Sequence, residues 1–314
     1  MKSLNRRNFL KSGLAGGALA TFLGREKPAQ AREFSGYTNK GTGVLVDLSR
    51  CVGCRSCEAA CNREQNLPEP DVPFDDFSIF DTERHGGLKR RTSEGVFTVV
   101  NRYNPEELDH PLFRKFQCNH CEEPACLTSC FVNAYTKTPE GAVMYNPKVC
   151  VGCRNCMIAC PFYVPAYSYS KPLNPIVEKC IMCYPTRLKF GKPPACVEAC
   201  PTEALTFGSR VNVLKFAKER IRQHPEIFVD HVYGEKEVGG TAWLYISPVD
   251  FKKIGFDMNL GHQPIINYVK SFLATVPMVL TIWPALFAGF YRLANRKDGL
   301  KKDNNEGARE ESQS

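Results

Sequence analysis

Sixteen cysteines stand in four quartets along the 314-residue chain, and none lies outside them. They are Cys51, Cys54, Cys57 and Cys61; Cys118, Cys121, Cys126 and Cys130; Cys150, Cys153, Cys156 and Cys160; and Cys180, Cys183, Cys196 and Cys200. The third run reads C-x2-C-x2-C-x3-C-P with Pro161 in place, a spacing by which bacterial proteins hold a 4Fe–4S cluster. A CxxC step sets two thiolates on one tight loop whose backbone amides can point at sulfur, and a third thiolate close behind closes three corners of a cube. The fourth corner comes from elsewhere. Where two clusters are held side by side, the last cysteine of each run lies about one helical turn on and ligates the other cluster.

The quartets are therefore expected to work in pairs, nested along the chain. Cys118, Cys121 and Cys126 take Cys160, and Cys150, Cys153 and Cys156 take Cys130. Cys51, Cys54 and Cys57 take Cys200, and Cys180, Cys183 and Cys196 take Cys61, for four 4Fe–4S clusters in all. Adjacent pairing satisfies the same spacings. Structural zinc uses two cysteine pairs with a longer spacer, which these triplets do not resemble. Disulfides suit exported proteins with an even cysteine count, yet a chain this long buries a core without staples, and cysteines three apart pair poorly. No Ser/His/Asp array, paired carboxylates, phosphate loop or metalloprotease helix is present, so no catalytic residue is assigned and no cofactor ligand beyond the cysteines.

The two ends carry a different kind of signal. Met1-Lys2-Ser3-Leu4-Asn5-Arg6-Arg7-Asn8-Phe9-Leu10-Lys11 is a twin-arginine n-region; residues 12–24 are weakly apolar, and Ala29-Gln30-Ala31 offers a cleavage site. Iron–sulfur clusters are inserted in a reducing cytoplasm, so a cluster protein bound for the periplasm must cross folded, which is what this leader requests. At the other end residues 271–291 hold no charge over 21 residues, enough to span a bilayer. Arg292, Arg296, Lys297, Lys301 and Lys302 follow, so the tail is expected in the cytoplasm. Pro277 and Pro284, seven apart, are expected to kink the span toward a neighbouring membrane subunit. The formal charge of +8 is misleading, because residues 1–31 carry six Lys/Arg against Glu26 and their removal leaves +3. Each oxidised cluster with its thiolates adds about −2, so the loaded protein is acidic and nucleic acid is not an expected partner.

The elements that must position the cysteines follow. Residues 43–47 (GVLVD) read as a strand running into the first quartet, and 58–64 as a helix bearing Cys61. Residues 65–116 form an insertion with many prolines and one clear strand, 96–100, read as a cover or docking surface. A strand at 134–137, a turn at Thr138-Pro139-Glu140-Gly141 and a strand at 142–145 link the middle quartets; strands follow at 203–207 and 241–247, with an amphipathic helix at 213–223. The fold class is α+β: tandem bacterial-ferredoxin-like (βαβ)2 modules with insertions, plus one C-terminal transmembrane helix. The expected division is 1–31 signal peptide, 32–42 linker, 43–210 four-cluster domain, 211–264 soluble extension, 265–292 anchor and 293–314 cytoplasmic tail. Within the domain, 43–64 with 163–210 form one module, 117–162 the other, and 65–116 the insertion.

Over residues 44–207 the chain resembles the four-cluster ferredoxin-like subunits of membrane-bound oxidoreductases. The resemblance rests on the order of quartets, the x4 spacing in the second, Asn119-His120 inside its CxxC, and the CxxC-x12-CxxxCP of the fourth. The leader, the anchor and the stretch from Tyr233 to Thr241 (YGEKEVGGT) make it similar to the HybA-type iron–sulfur components of uptake [NiFe]-hydrogenases. That resemblance implies a relay of electrons from a periplasmic hydrogenase catalytic subunit to an integral quinone-reactive or cytochrome b partner in the membrane. The equivalent beta subunit of a formate dehydrogenase or other anaerobic respiratory complex is the alternative, and a non-redox adaptor whose clusters only hold the fold is a third class. Arg55, Lys148, Arg154 and Lys179 lie beside ligands and are candidates to raise a cluster potential; the bland alternative is solvated side chains. His120 is read as a packed, hydrogen-bonded histidine or a tuning group, and His262 as an interfacial residue or one facing the quinone partner.

Overall fold

The computed structural model describes residues 41–169 and 176–311. The twin-arginine leader and most of the linker lie outside the described residues. The first strand, β1 (Thr42–Asp47), leads through the first cysteine loop to α1 (Ser56–Gln65), which carries Cys57 and Cys61. The insertion contains not one strand but a hairpin, β2 (Thr98–Tyr103) and β3 (Leu112–Gln117), paired antiparallel with Val100 opposite Lys115. Then come α2 (Ala125–Thr128), the hairpin β4 (Tyr135–Lys137) and β5 (Val143–Tyr145), and α3 (Asn155–Ala159). A short pair, β6 (Ala166–Tyr167) and β7 (Val177–Glu178), precedes the fourth quartet, followed by α4 (Ala195–Glu198) and β8 (Leu205–Ser209). The chain continues as α5 (Arg210–Gln223), β9 (Trp243–Ile246) and α6 (Ile265–Glu311).

The largest sheet has the order β8-β1-β9, with β1 antiparallel to β8 and parallel to β9. Residues 43–47 alternate faces with period two, yet Val44, Leu45 and Val46 are all buried, because the sheet is covered on both sides. Leu45, Leu244 and Ile246 meet Val213, Ala217 and Ile221, the apolar stripe that α5 presents at four-residue intervals. Ser209 caps α5, its hydroxyl accepting the Asn212 N–H at 3.4 Å. Val44, Val46, Trp243 and Tyr245 face the other way, into a core that includes Met182, Leu188, Cys196 and an aromatic group of Tyr233, Phe251 and Phe256. Tyr233 and Phe256 pack edge to face at 4.5 Å.

Residues 211–264 are thus built into the central sheet rather than appended to it, and they also brace the second quartet. The Tyr233–Thr241 stretch turns on Gly234, Gly239 and Gly240, all at positive φ. A Cβ at Gly234 would sit 2.4 Å from the Thr241 hydroxyl, so only glycine permits this fold-back. The loop then hydrogen-bonds to the second cysteine run, Glu122 N–H to Gly240 O at 2.9 Å and Ala242 N–H to Asn119 O at 3.1 Å. Beyond Pro264 the helix α6 continues through Pro277 and Pro284, with a candidate membrane span at Thr275–Leu293 none of which is buried within the protein.

Candidate metal centres

Each quartet begins with the same backbone device. The third residue of every leading CxxC lies in the left-handed region: Gly53 at φ 72, His120 at 47, Gly152 at 70 and Met182 at 58. This conformation folds the loop back so that amide groups face sulfur. Gly53 N–H reaches Cys51, Gly152 N–H reaches Cys150 at 3.4 Å, and Met182 N–H reaches Cys180 at 3.3 Å. The turn after the fourth cysteine repeats as well, with Asn133, Tyr163 and Glu203 all at positive φ and Ala134 N–H on Cys130 at 3.2 Å. At Gly53 a second constraint applies, since a Cβ would lie 2.4 Å from the Phe113 ring. Gly53→Ala is expected to strip iron from the first-quartet site, whereas Gly86→Ala, at φ 62 but with nothing within 4 Å, keeps its iron; iron per chain on the anaerobically purified proteins decides.

The cysteines are drawn together across quartets. The electrostatic neighbours of Cys51 are Cys200 and Cys54, and those of Cys61 are Cys180, Cys196 and Cys183. Cys121 has Cys160, Cys118 and Cys126, while Cys156 has Cys150, Cys153 and Cys130. Between these groups, Cys180 has Cys118 among its electrostatic neighbours. Burial holds the thiols up, to about 11 for Cys51, Cys160 and Cys183 and about 12 for Cys180, so ligation must displace their protons. All sixteen are free of disulfides. Among the described residues no three metal-ligating side chains converge on one ion-sized point.

Charge supplies an independent test of fit. Lys115, on β3, and Lys179, on the segment before Cys180, are both buried, at 2% and 1% exposed. Lys115 Nζ donates to Thr98 Oγ1 at 2.7 Å and Gln117 Oε1 at 3.0 Å and lies 4.6 Å from the centre of the Trp243 ring. Lys179 Nζ donates to Val143 O at 2.5 Å and Cys180 O at 3.0 Å. Among the described residues neither meets a carboxylate. Burial opposes the charge on Lys115, but Cys196, Cys57, Cys180 and Cys61 outweigh it and raise its pKa. For Lys179 the same opposition is overcome by Cys118, Cys126, Cys180 and Cys160. Two buried ammonium groups whose counter-charges are cysteine sulfur fit anionic iron–sulfur clusters, which supply one-electron chemistry when bound.

The other candidates divide sharply. Arg55 is 1% exposed and donates to Glu58 at 3.2 Å and to Pro73 O at 2.6 Å. Glu58 also receives Arg90 in two-pronged fashion and the Val100 N–H at 2.6 Å. This buried carboxylate therefore clips the insertion onto α1 and the first cysteine run. Lys148 and Arg154 are exposed, where solvent screens their effect on a cluster; Lys148→Gln is expected to leave every midpoint potential within experimental error in an EPR redox titration. His120 is fully buried, and burial followed by Lys179, Lys137 and Lys115 holds its pKa well down. Its Nδ1 accepts the Val143 N–H at 2.9 Å, so it is the packed, hydrogen-bonded, neutral histidine. His262 is exposed on the wall of a cavity of about 680 Å³ that it shares with Lys218, Arg222, His231 and Lys236. Lys115 had no motif to announce it, since lysine in a strand next to Arg114 ordinarily faces water.

Repeated cysteine loops on short βα units, backed by buried positive charge, define a ferredoxin-like iron–sulfur protein. Residues 110–210 match the 4Fe-4S dicluster domain, and residues 3–22 match the twin-arginine translocation pathway signal sequence. The chain is 49% identical over 299 residues to a protein of Nitratidesulfovibrio vulgaris strain Hildenborough, covering 95% of this chain and 79% of that one. It is 32% identical over 279 residues to the hydrogenase-2 operon protein HybA of Escherichia coli O157:H7, covering 80% and 83%. With the nitrate-inducible formate dehydrogenase iron-sulfur subunit of Escherichia coli K12 it shares 31% over 225 residues, 70% and 71% of the two chains. The chain belongs to this family of 4Fe–4S electron-transfer subunits, which includes HybA and the formate dehydrogenase iron–sulfur subunits.

Proposed function

We propose that this protein is the electron-relay subunit of a membrane-bound, periplasm-facing hydrogenase, passing electrons through four 4Fe–4S clusters from a catalytic subunit to an integral quinone-reactive partner. The observation that carries the reading is the crossed neighbourhood of the cysteines, which groups Cys51, Cys54 and Cys57 with Cys200; Cys61 with Cys180, Cys183 and Cys196; Cys118, Cys121 and Cys126 with Cys160; and Cys130 with Cys150, Cys153 and Cys156. Cys118 is among the electrostatic neighbours of Cys180, which supports a row of four sites in the order first, fourth, second and third quartet. That continuity supports a wire rather than a structural scaffold, for which clusters need no mutual adjacency.

The anchor supports a direction. Helix α6 starts against α2, which bears Cys126, so the second- and third-quartet end of the row is the end beside the membrane segment. Electrons then come in at the first quartet and leave toward the membrane partner. The leader supports a periplasmic soluble part, and the basic residues after Tyr291 support a cytoplasmic tail. HybA is matched over more of its length than the formate dehydrogenase subunits are, which favours hydrogenase as the catalytic partner. Solubilising the complex from membranes tests this: a co-eluting nickel–iron subunit is expected, and a molybdopterin subunit in its place would assign the chain to the formate dehydrogenase class. Ending the chain before Ile265 is expected to release it from the membrane with its iron retained; a truncated chain that stays in the membrane pellet after a high-salt wash would count against α6 as the anchor.

A further inference from the structure

We propose that the His120 side chain donates a hydrogen bond from Nε2 to a sulfur atom of the second-group cluster, the one assigned to Cys118, Cys121, Cys126 and Cys160, and that this bond raises the potential of that cluster. The inference rests on the four-cluster reading above. It begins with the tautomer of the ring. The Val143 N–H is directed at Nδ1 at 2.9 Å, and a backbone donor needs a lone pair there, so the ring proton sits on Nε2. That N–H belongs to a residue with 0% exposure, and among the described residues it meets no acceptor. A buried donor left unpaired is costly, and native structures rarely keep one.

The surroundings narrow what the acceptor can be. His120 lies inside the second CxxC, between Cys118 and Cys121, and the Val143 that holds its ring packs in the same buried cluster as Cys126. The loop is pinned in place: the His120 carbonyl accepts the Ala242 N–H at 3.2 Å, and Asn119 Oδ1 accepts the Tyr245 hydroxyl at 3.2 Å. The ammonium groups close by are themselves donors, Lys179 Nζ to Val143 O at 2.5 Å and Lys137 Nζ to Cys121 O at 2.8 Å. Glu122, the next carboxylate along the chain, faces Lys137 at 3.4 Å and Arg210 at 3.6 Å. Sulfur is the acceptor these surroundings leave. The other loops agree, for in the third and fourth runs the leading sulfur receives a backbone N–H, from Gly152 at 3.4 Å and Met182 at 3.3 Å, whereas among the described residues Cys118 receives none. The second run instead holds a ring with its own donor at φ 47, in the left-handed position where the first and third runs have glycine. Hydrogen bonds to cluster sulfur help set the potential, because they favour the more negative, reduced form.

Two measurements on the full complex test this, both on the EPR signal that Cys121→Ser abolishes or converts. With histidine nitrogen isotopically labelled, ENDOR on that signal is expected to show a histidine nitrogen coupled to the wild-type cluster and to lose it in His120→Met. Methionine suits the site, since Met182 occupies the equivalent buried, left-handed position of the fourth loop. In a redox titration the same signal is expected to move down in His120→Met by at least tenfold in its reduction constant, about 59 mV for one electron. Most of that shift is expected to recover in His120→Gln, whose amide can accept from Val143 and donate to sulfur. The proposal is overturned by a loaded wild-type cluster with no histidine coupling, which would place the N–H on a buried water, or by a coupling that survives His120→Met. An unmoved signal in the Met variant, a shift confined to another signal, or equal shifts with Met and Gln overturns it too. Should His120→Met lose the cluster outright, the labelled wild type decides alone. Iron analysis of the wild type separates this from the function itself: too little iron for four clusters sinks both, whereas full iron without histidine coupling sinks only the inference.

Discussion

In the Cys61→Ser protein, iron is expected to fall from about sixteen to about twelve atoms per chain, and the loss falls on the site of Cys180, Cys183 and Cys196 while that of Cys51, Cys54 and Cys57 survives. Cys61 sits one turn along α1 from Cys57, so chain proximity would assign it to the first quartet. Its sulfur nevertheless has Cys180, Cys196 and Cys183 as neighbours, and Cys51 has Cys200. Serine keeps the size of the side chain but is a poor ligand for iron, so the consequence is local. In the proposed row the fourth group bridges the first and second, so its removal breaks the row at an interior point, and electron transfer from donor to quinone should fall by orders of magnitude. EPR of the variant, with iron analysis, reads the result; disappearance of the first-quartet signal instead would show that each run closes its own cluster.

Replacing Glu58 with glutamine is expected to produce the second large effect, this time on stability. The carboxylate is 2% exposed in its side chain and faces Arg55 at 3.2 Å and Arg90 at 2.9 Å. Removing one partner of such a buried group leaves the others charged and unpaired, at a cost of about 3–5 kcal/mol. Since 1.4 kcal/mol is a factor of ten, opening of the insertion should become at least about a hundredfold more frequent. That insertion shields the first cysteine run, so the visible absorbance of the clusters should bleach correspondingly faster in air. A bleaching rate equal to that of the wild type would show that the insertion is held by its apolar packing against Cys57, where Ile79, Phe80, Val100 and Phe113 gather, and not by the clip.

Much of the fold was legible because local chemistry wrote it. Residues 43–47 announced a strand through an unbroken apolar run, and 213–223 announced a helix through its apolar period; both stand in the structure within a residue or three. The turn at Thr138-Pro139-Glu140-Gly141 forecast the β4–β5 hairpin, whose register sets Tyr135 opposite Tyr145. The second strand of the insertion was missed. Residues 112–117 alternate poorly because both Lys115 and Gln117 point into the interior, where their polar groups serve a site rather than a core. Strand β9 read correctly as a strand, but nothing near it in the chain says that it lies parallel to β1, some two hundred residues earlier.

The amino-acid sequence by itself named the candidate iron ligands and determined how each loop must bend. Cysteines at fixed spacing, with glycine at 53 and 152, dictate a left-handed turn and amides aimed at sulfur through covalent geometry alone. What each loop experiences was decided only by the tertiary structure. Cys51-Val52-Gly53-Cys54-Arg55 and Cys150-Val151-Gly152-Cys153-Arg154 are the same five residues, and both arginines adopt the same conformation, φ 60 and φ 62. Arg55 is nevertheless buried beneath Pro73, Phe74 and Asp76 and tied to Glu58, while Arg154 is open to solvent. An identical local sequence cannot encode that difference. It arises because a distant segment folds over one copy and not the other, and burial, which sets how strongly a charge is felt, is a property of what the rest of the chain places on top.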